Sequence, residues 1–187
     1  MEQVLVRSER DVVLRRVVAV VLGAALVAAA AQIAVPLPGT PVPMTLQPLA
    51  VLLVGGLLGA RLGASSMVLY LALGIPGLPV FTPTVPLVGI ARLLGPTGGY
   101  LLAYPVAAFA VGAMAQDGKR WTRVALGVAA GLVLIHLGGL AQLVILTGSL
   151  QAAARFGTVP FLLGDVGKLA VAVAVLTKLA PVVRARL

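Results

Sequence analysis

The sequence has no cysteine, one histidine and five acidic residues in 187 positions, and only 10% of its residues carry a charge. Without cysteine there is no disulfide, no thiol nucleophile and no thiolate metal site. The lone His136 cannot build a metal centre by itself, so no metal is expected. A charged fraction of 10%, against about 25% in ordinary soluble domains, leaves too little polarity to cover a water-exposed surface. Apolar residues fill the space instead: 60% of the chain is hydrophobic and the mean hydropathy is +1.12. These values exclude the soluble class and match six spanning helices, which need about 20 apolar residues each. The net charge of +9, from 14 Lys and Arg, would suggest nucleic acid in a soluble chain. In a membrane chain, basic residues gather at cytoplasmic helix ends, so the expected partner is the lipid bilayer and not nucleic acid.

Hydrophobic runs divide the chain into one all-α membrane domain over 1–187, with helices expected at about 12–34, 46–60, 62–75, 98–116, 122–147 and 158–181. The first run ends in Ala28 to Ala31, a small-residue stretch that resembles a cleavage site. Five more spans follow it, and an uncleaved first helix accounts for the pattern. With six spans, Arg7, Arg10, Arg15, Arg16, Arg61, Lys119, Arg120, Arg123, Lys178, Arg184 and Arg186 fall on one side. Only Arg92 and Arg155 fall on the other, which predicts cytoplasmic termini. Glu2, Glu9, Asp11 and Asp117 share the cytoplasmic side, which leaves Asp165 as the one intramembrane acid and Lys168 as the one intramembrane base.

Five of the thirteen prolines lie between Pro36 and Pro48, and five more between Pro76 and Pro96, both stretches on the outer side. The second and third segments are only about 21 to 23 Å long as helices, shorter than the roughly 30 Å hydrocarbon core. The outer loops are therefore expected to dip into the membrane. Irregular backbone at that depth is tolerated where it lines a cavity, which predicts an outward-facing pocket under Pro-rich loops.

In PFLLGDVGK, Asp165 and Lys168 stand at i and i+3 and share a helical face about 7.5 and 12 Å below Pro160. Charges inside a span cost about 2.5 to 3.5 kcal/mol on insertion scales, so they normally face the bundle interior and serve a ligand or a partner. Mutual neutralisation is the plainer alternative. Thr45 and Gln47 open the second helix, and Tyr100 closes the motif GPTGGY that opens the fourth. That motif lacks the lysine and the strand-to-helix setting of a phosphate loop, so a tight turn with a helix start is as good a reading as ligand contact. Arg92 either snorkels at the interface or supplies a positive charge to the pocket. His136 and Gln142 either face the cavity or bond between helices. Tyr70 reads as core packing. Ala24 and Ala28 form a small-xxx-small row, which suits either internal packing or docking to another membrane subunit.

The succession AQIAVPLPGTPVPMTLQPLAVLLVGGLLGARLG, YLALGIPGLPVF, GPTGGYLLAYPVAAF and PFLLGDVGK resembles the BioY family, biotin-binding S subunits of energy-coupling factor transporters, over most of residues 24–170. The resemblance implies a multi-pass protein of the cell membrane with a biotin pocket at the outer face, lidded by the first loop. It also implies partners, a transmembrane coupling subunit and two ATP-binding-cassette ATPases. ATP would be used by those partners, because this chain has no ATP-binding motif and needs no cofactor of its own. Matching motifs carry the family's pocket positions to Thr45, Gln47, Tyr100, Asp165 and Lys168. The cyclic urea of biotin, with two N–H donors and one carbonyl, suits a carboxylate and an ammonium.

The chain departs from the family at three places. It reads FTPTVPLVG where a glycine-rich stretch is expected, Leu101 stands where some members carry arginine, and His136 and Gln142 replace expected aromatic residues. Arg92 is the candidate replacement for the missing charge. The expected function is therefore uptake of biotin without covalent chemistry. The rival expectations are an S subunit for another vitamin, a solitary carrier of a small carboxylic acid, and a small intramembrane enzyme using Asp165 as a base.

Overall fold

The computed structural model describes residues 2–116 and 118–187, with side chains from residue 9 onward. Asp117 and the side chains of Glu2 and Arg7, assigned above to the cytoplasmic side, lie outside the described residues. The architecture is all-helical apart from one two-residue hairpin. Helix α1 runs Glu2–Gln32, and strands β1 (Ala34–Val35) and β2 (Met44–Thr45) pair antiparallel with Ala34 opposite Thr45. Helices α2 (Gln47–Leu58), α3 (Ala60–Gly74), α4 (Ile90–Leu94), α5 (Gly98–Ala115) and α6 (Trp121–Thr147) follow. The chain ends with α7 (Leu150–Gly157), a 3₁₀ turn and α8 (Leu162–Arg184).

Four helical stretches are long and apolar enough to cross a membrane: Glu9–Gln32, Gly98–Ala115, Trp121–Thr147 and Leu150–Arg184. Helices α2 and α3 are apolar but shorter, as their sequence lengths predicted. A single residue, Gly59, separates them at φ +86, a backbone region that disfavours side chains with a Cβ. Helix α1 begins ten residues before the expected boundary, because hydrogen bonding along the backbone continues through a charged turn that hydropathy does not register. The helix expected at about 158–181 is a 3₁₀ turn followed by α8, and a helix that was not expected, α7, precedes it. Gly148 in the left-handed region ends α6, and Ser149 caps α7 by accepting from the Ala152 backbone N–H.

Small residues set how closely the helices pack. A methyl group at Gly139 of α6 would collide with the Tyr100 ring, and one at Gly99 of α5 with the Gly138 carbonyl, so the N-terminal end of α5 is nearly in backbone contact with the C-terminal half of α6. On α1, Ala24 is buried in the core and Ala28 packs against it, while Gly23 leaves room only for Ser66 of α3. Of the two roles open to this row, internal packing is the one seen for Ala24, while Ala28 stays partly exposed. The adjacent residues Ala25 and Ala29 are the exposed ones.

Candidate functional site

One cavity sits beneath the β1–β2 hairpin and is walled by α2, α4, α5, α6 and α8. Val42 and Pro43 of the hairpin loop cover it. The loop is held from above, where the Thr40 hydroxyl donates to the Phe156 carbonyl of α7 at 2.6 Å and Leu46 N–H donates to the Ile33 carbonyl. Proline density in this loop explains why it closes as irregular chain rather than as helix.

Every polar residue assigned to the pocket from sequence lines this cavity: Thr45, Gln47, Arg92, Tyr100, His136, Asp165 and Lys168. The first two turns of α8 contribute the charge pair, with Lys168 Nζ 3.0 Å from Asp165 Oδ1. The helical i, i+3 spacing accounts for that contact. Helix α6 adds a partner that spacing could not reveal: His136 Nε2 lies 2.6 Å from Asp165 Oδ2, so both oxygens of the carboxylate are engaged. The imidazole is flanked by Tyr100 and Phe161, with ring centroids at 6.3 and 6.5 Å.

At the start of α2, the Gln47 backbone N–H donates to the Thr45 hydroxyl, and the Gln47 side-chain amide donates to the Tyr70 hydroxyl at 2.6 Å. Tyr70 is fully buried, as core packing predicted, and it also anchors the glutamine. Tyr100 presents its ring to the cavity while its hydroxyl donates to the Gly157 carbonyl, so that hydroxyl ties α5 to α7. The GPTGGY segment is a turn with a helix start at Gly98. Gln142 holds this turn by donating to the Leu93 and Gly95 carbonyls and is a packing residue, not a wall residue.

Arg92 does not snorkel. It is 1% exposed, and its guanidinium donates to the Thr82 and Val85 carbonyls of the proline-rich loop. The short helix α4 turns it inward, which sequence position alone did not specify. No carboxylate pairs with Arg92 among the described residues. Four buried side-chain polar atoms there lack a hydrogen-bond partner, and three of them, Arg92 Nε, Thr97 Oγ1 and His136 Nδ1, belong to residues that line this cavity. Buried polar groups are normally satisfied, so these three atoms are the ones a molecule entering the cavity could satisfy. Thr97 was not anticipated. Its signal was a hydroxyl inside an otherwise apolar, glycine-rich motif. The described residues contain no cluster suited to hold a metal ion.

Known proteins resemble this chain in sequence and in fold. A model of the BioY family matches residues 3–185. A probable biotin transporter BioY of Pyrococcus horikoshii is 39% identical over 160 residues, which cover 86% of this chain and 93% of the relative. The biotin transporter BioY of Thermotoga maritima is 36% identical over 155 residues, covering 83% and 89%. The fold is similar to the crystal structure of the S-component for biotin from an ECF-type ABC transporter. That match has a TM-score of 0.81 and 26% identity and covers 90% of this chain and 92% of the other. The extent of the sequence match, over nearly the whole chain, establishes that it belongs to the BioY family.

Proposed function

We propose that this chain is the biotin-binding S subunit of an energy-coupling factor transporter, which captures biotin outside the cell and releases it inward. It is a transport protein and not an enzyme. The carrying observation is the cavity itself, where the Asp165–Lys168 pair lies on one wall and on another the buried Arg92, which has no carboxylate partner among the described residues. Biotin has polar groups at both ends and an apolar middle. Its ureido ring offers donors to Asp165 and an acceptor to Lys168 Nζ. Its carboxylate offers Arg92 and Thr97 the acceptors that their free N–H and O–H lack. Phe81, Tyr104 and Ile135 supply apolar wall between them.

In this reading the short helices α2 and α3 also cross the membrane, which makes six spans with the pocket facing outward and both ends of the chain cytoplasmic. The charge distribution along the sequence supports that orientation. The protein resides in the cell membrane. Its partners are a transmembrane coupling subunit and two ATP-binding-cassette ATPases, which use the ATP.

Titration of the purified, detergent-solubilised protein with radiolabelled biotin tests the reading, together with identification of any ligand that co-purifies. Saturable binding of one biotin per chain is expected. Binding of a different vitamin or of a simple carboxylic acid, with no response to biotin, would assign the pocket to that compound instead.

A further inference from the structure

The polar end of the cavity holds a group that an Asp–Lys pair does not account for. His136 Nε2 faces Asp165 Oδ2 at 2.6 Å, and an ionised carboxylate accepts hydrogen bonds, so the imidazole proton belongs on Nε2. In neutral imidazole the lone pair is then on Nδ1, which is buried and has no partner among the described residues. Among the described residues no donor reaches it. The Tyr100 hydroxyl donates to the Gly157 carbonyl, one Lys168 N–H donates to Asp165, and the side chains of Phe161, Leu132 and Ile135 have no polar atoms. Packing between Tyr100 and Phe161 fixes the plane of the ring. The charged groups around the imidazole are thus Asp165 and Lys168 of α8, with the Tyr100 ring of α5 beside it.

We propose that His136 Nδ1 is a ligand-binding acceptor that takes one of the two ureido N–H groups of biotin, while Asp165 takes the other and Lys168 donates to the ureido carbonyl. This assignment rests on the biotin reading above and goes beyond it, because it makes recognition of the ring depend on three residues from two helices. Two acceptors and one donor on the protein meet two donors and one acceptor on the cyclic urea. Both oxygens of Asp165 already accept a hydrogen bond, from His136 and from Lys168. A second full-strength acceptor nearby lets the site engage both N–H groups without crowding the carboxylate. His136 therefore orients Asp165 through one nitrogen and contacts the ligand through the other.

A cycle of two protein variants and two ligand analogues tests this. The analogues are cyclic carbamates of biotin in which one or the other ring N–H is replaced by oxygen. The variants are His136→Phe, which keeps a ring of similar size, and His136→Gln, which keeps one donor and one acceptor. In the wild type, each carbamate is expected to bind about tenfold more weakly than biotin, the loss of one buried hydrogen bond of about 1.4 kcal/mol. In His136→Phe, biotin itself is expected to weaken by about tenfold. For one of the two carbamates the discrimination should disappear in that variant, and His136→Gln should restore part of it. A purely orienting role would leave both discriminations unchanged when histidine is replaced, and that result would overturn the proposal. If His136→Phe does not fold, the same comparison is read from His136→Leu, which also removes the acceptor. If neither variant folds, equal wild-type affinity for biotin and both carbamates would overturn the proposal. If the wild type binds no biotin at all, the biotin reading fails separately. The role of Nδ1 is then read from thermal stabilisation of the wild type by 2-imidazolidinone against 2-oxazolidinone, where equal stabilisation overturns it.

Discussion

At the scale of single residues, Asp165 carries more than its i, i+3 partner does, because it accepts from both Lys168 and His136. Replacing Asp165 by asparagine weakens two charge-assisted contacts, whereas Lys168→Ala leaves His136 in place. Loss of one member of a buried charge pair typically costs about 3 to 5 kcal/mol, so either change is expected to lower biotin affinity by at least about 100-fold. Asp165→Asn should also lower the melting temperature more than Lys168→Ala does. Titration and thermal denaturation of the solubilised variants check both points. A double change to an apolar pair that kept near-normal affinity would show that the pair only serves folding. Arg92 yields a second prediction. If it binds the biotin carboxylate, Arg92→Gln is expected to weaken biotin by about 30-fold or more while changing affinity for biotin amide by no more than about threefold. Equal losses for acid and amide would reduce Arg92 to a brace for the loop carbonyls of Thr82 and Val85.

At the scale of elements, the contacts between helices depend on missing side-chain volume. Tyr100 occupies the space above Gly139, so Gly139→Ala forces the ring off its rotamer or parts α5 from α6. Overpacking of this kind costs about 1 to 3 kcal/mol, and the same ring lines the pocket. Gly139→Ala should therefore lower the melting temperature and biotin affinity together. On α1 the buried position of Ala24 changes the expectation drawn from its small-residue row. Ala24→Leu should reduce the yield of folded protein, and with it biotin binding and subunit assembly in equal measure. The exposed Ala29→Leu should fold normally, and comparing detergent-extracted yields of the two variants tests the assignment.

At the scale of the whole molecule, the proposed orientation rests on the charge count that six spans would give, eleven basic residues from Arg7 to Arg186 against Arg92 and Arg155. Arg184, near the end of α8, donates to the Gly56 carbonyl of α2 and the Gly112 carbonyl of α5. These bonds gather three helices at the end of the bundle opposite the cavity. A cysteine introduced at Leu187 is expected to resist an impermeant thiol reagent added outside intact cells and to react after permeabilisation. Labelling of intact cells would reverse the orientation and place the pocket on the cytoplasmic side.

Composition and order of residues were enough to specify a helical membrane protein, its family motifs and the polar side chains that converge on one cavity. Hydropathy, proline spacing and the i, i+3 rule act along the chain, and each left a readable mark on it. The tertiary fold alone decided the rest. Whether Ala24 meets a partner or the core depends on the rotation of α1 against α3, and whether Arg92 faces lipid or pocket depends on the turn taken by α4. His136 and Asp165 are separated by 29 residues, with α7 and a 3₁₀ turn between their helices, so no local periodicity brings them together. Their 2.6 Å contact arises because α6 and α8 pack side by side, a relation set by side-chain volumes across the bundle and not by the spacing of either residue in the sequence.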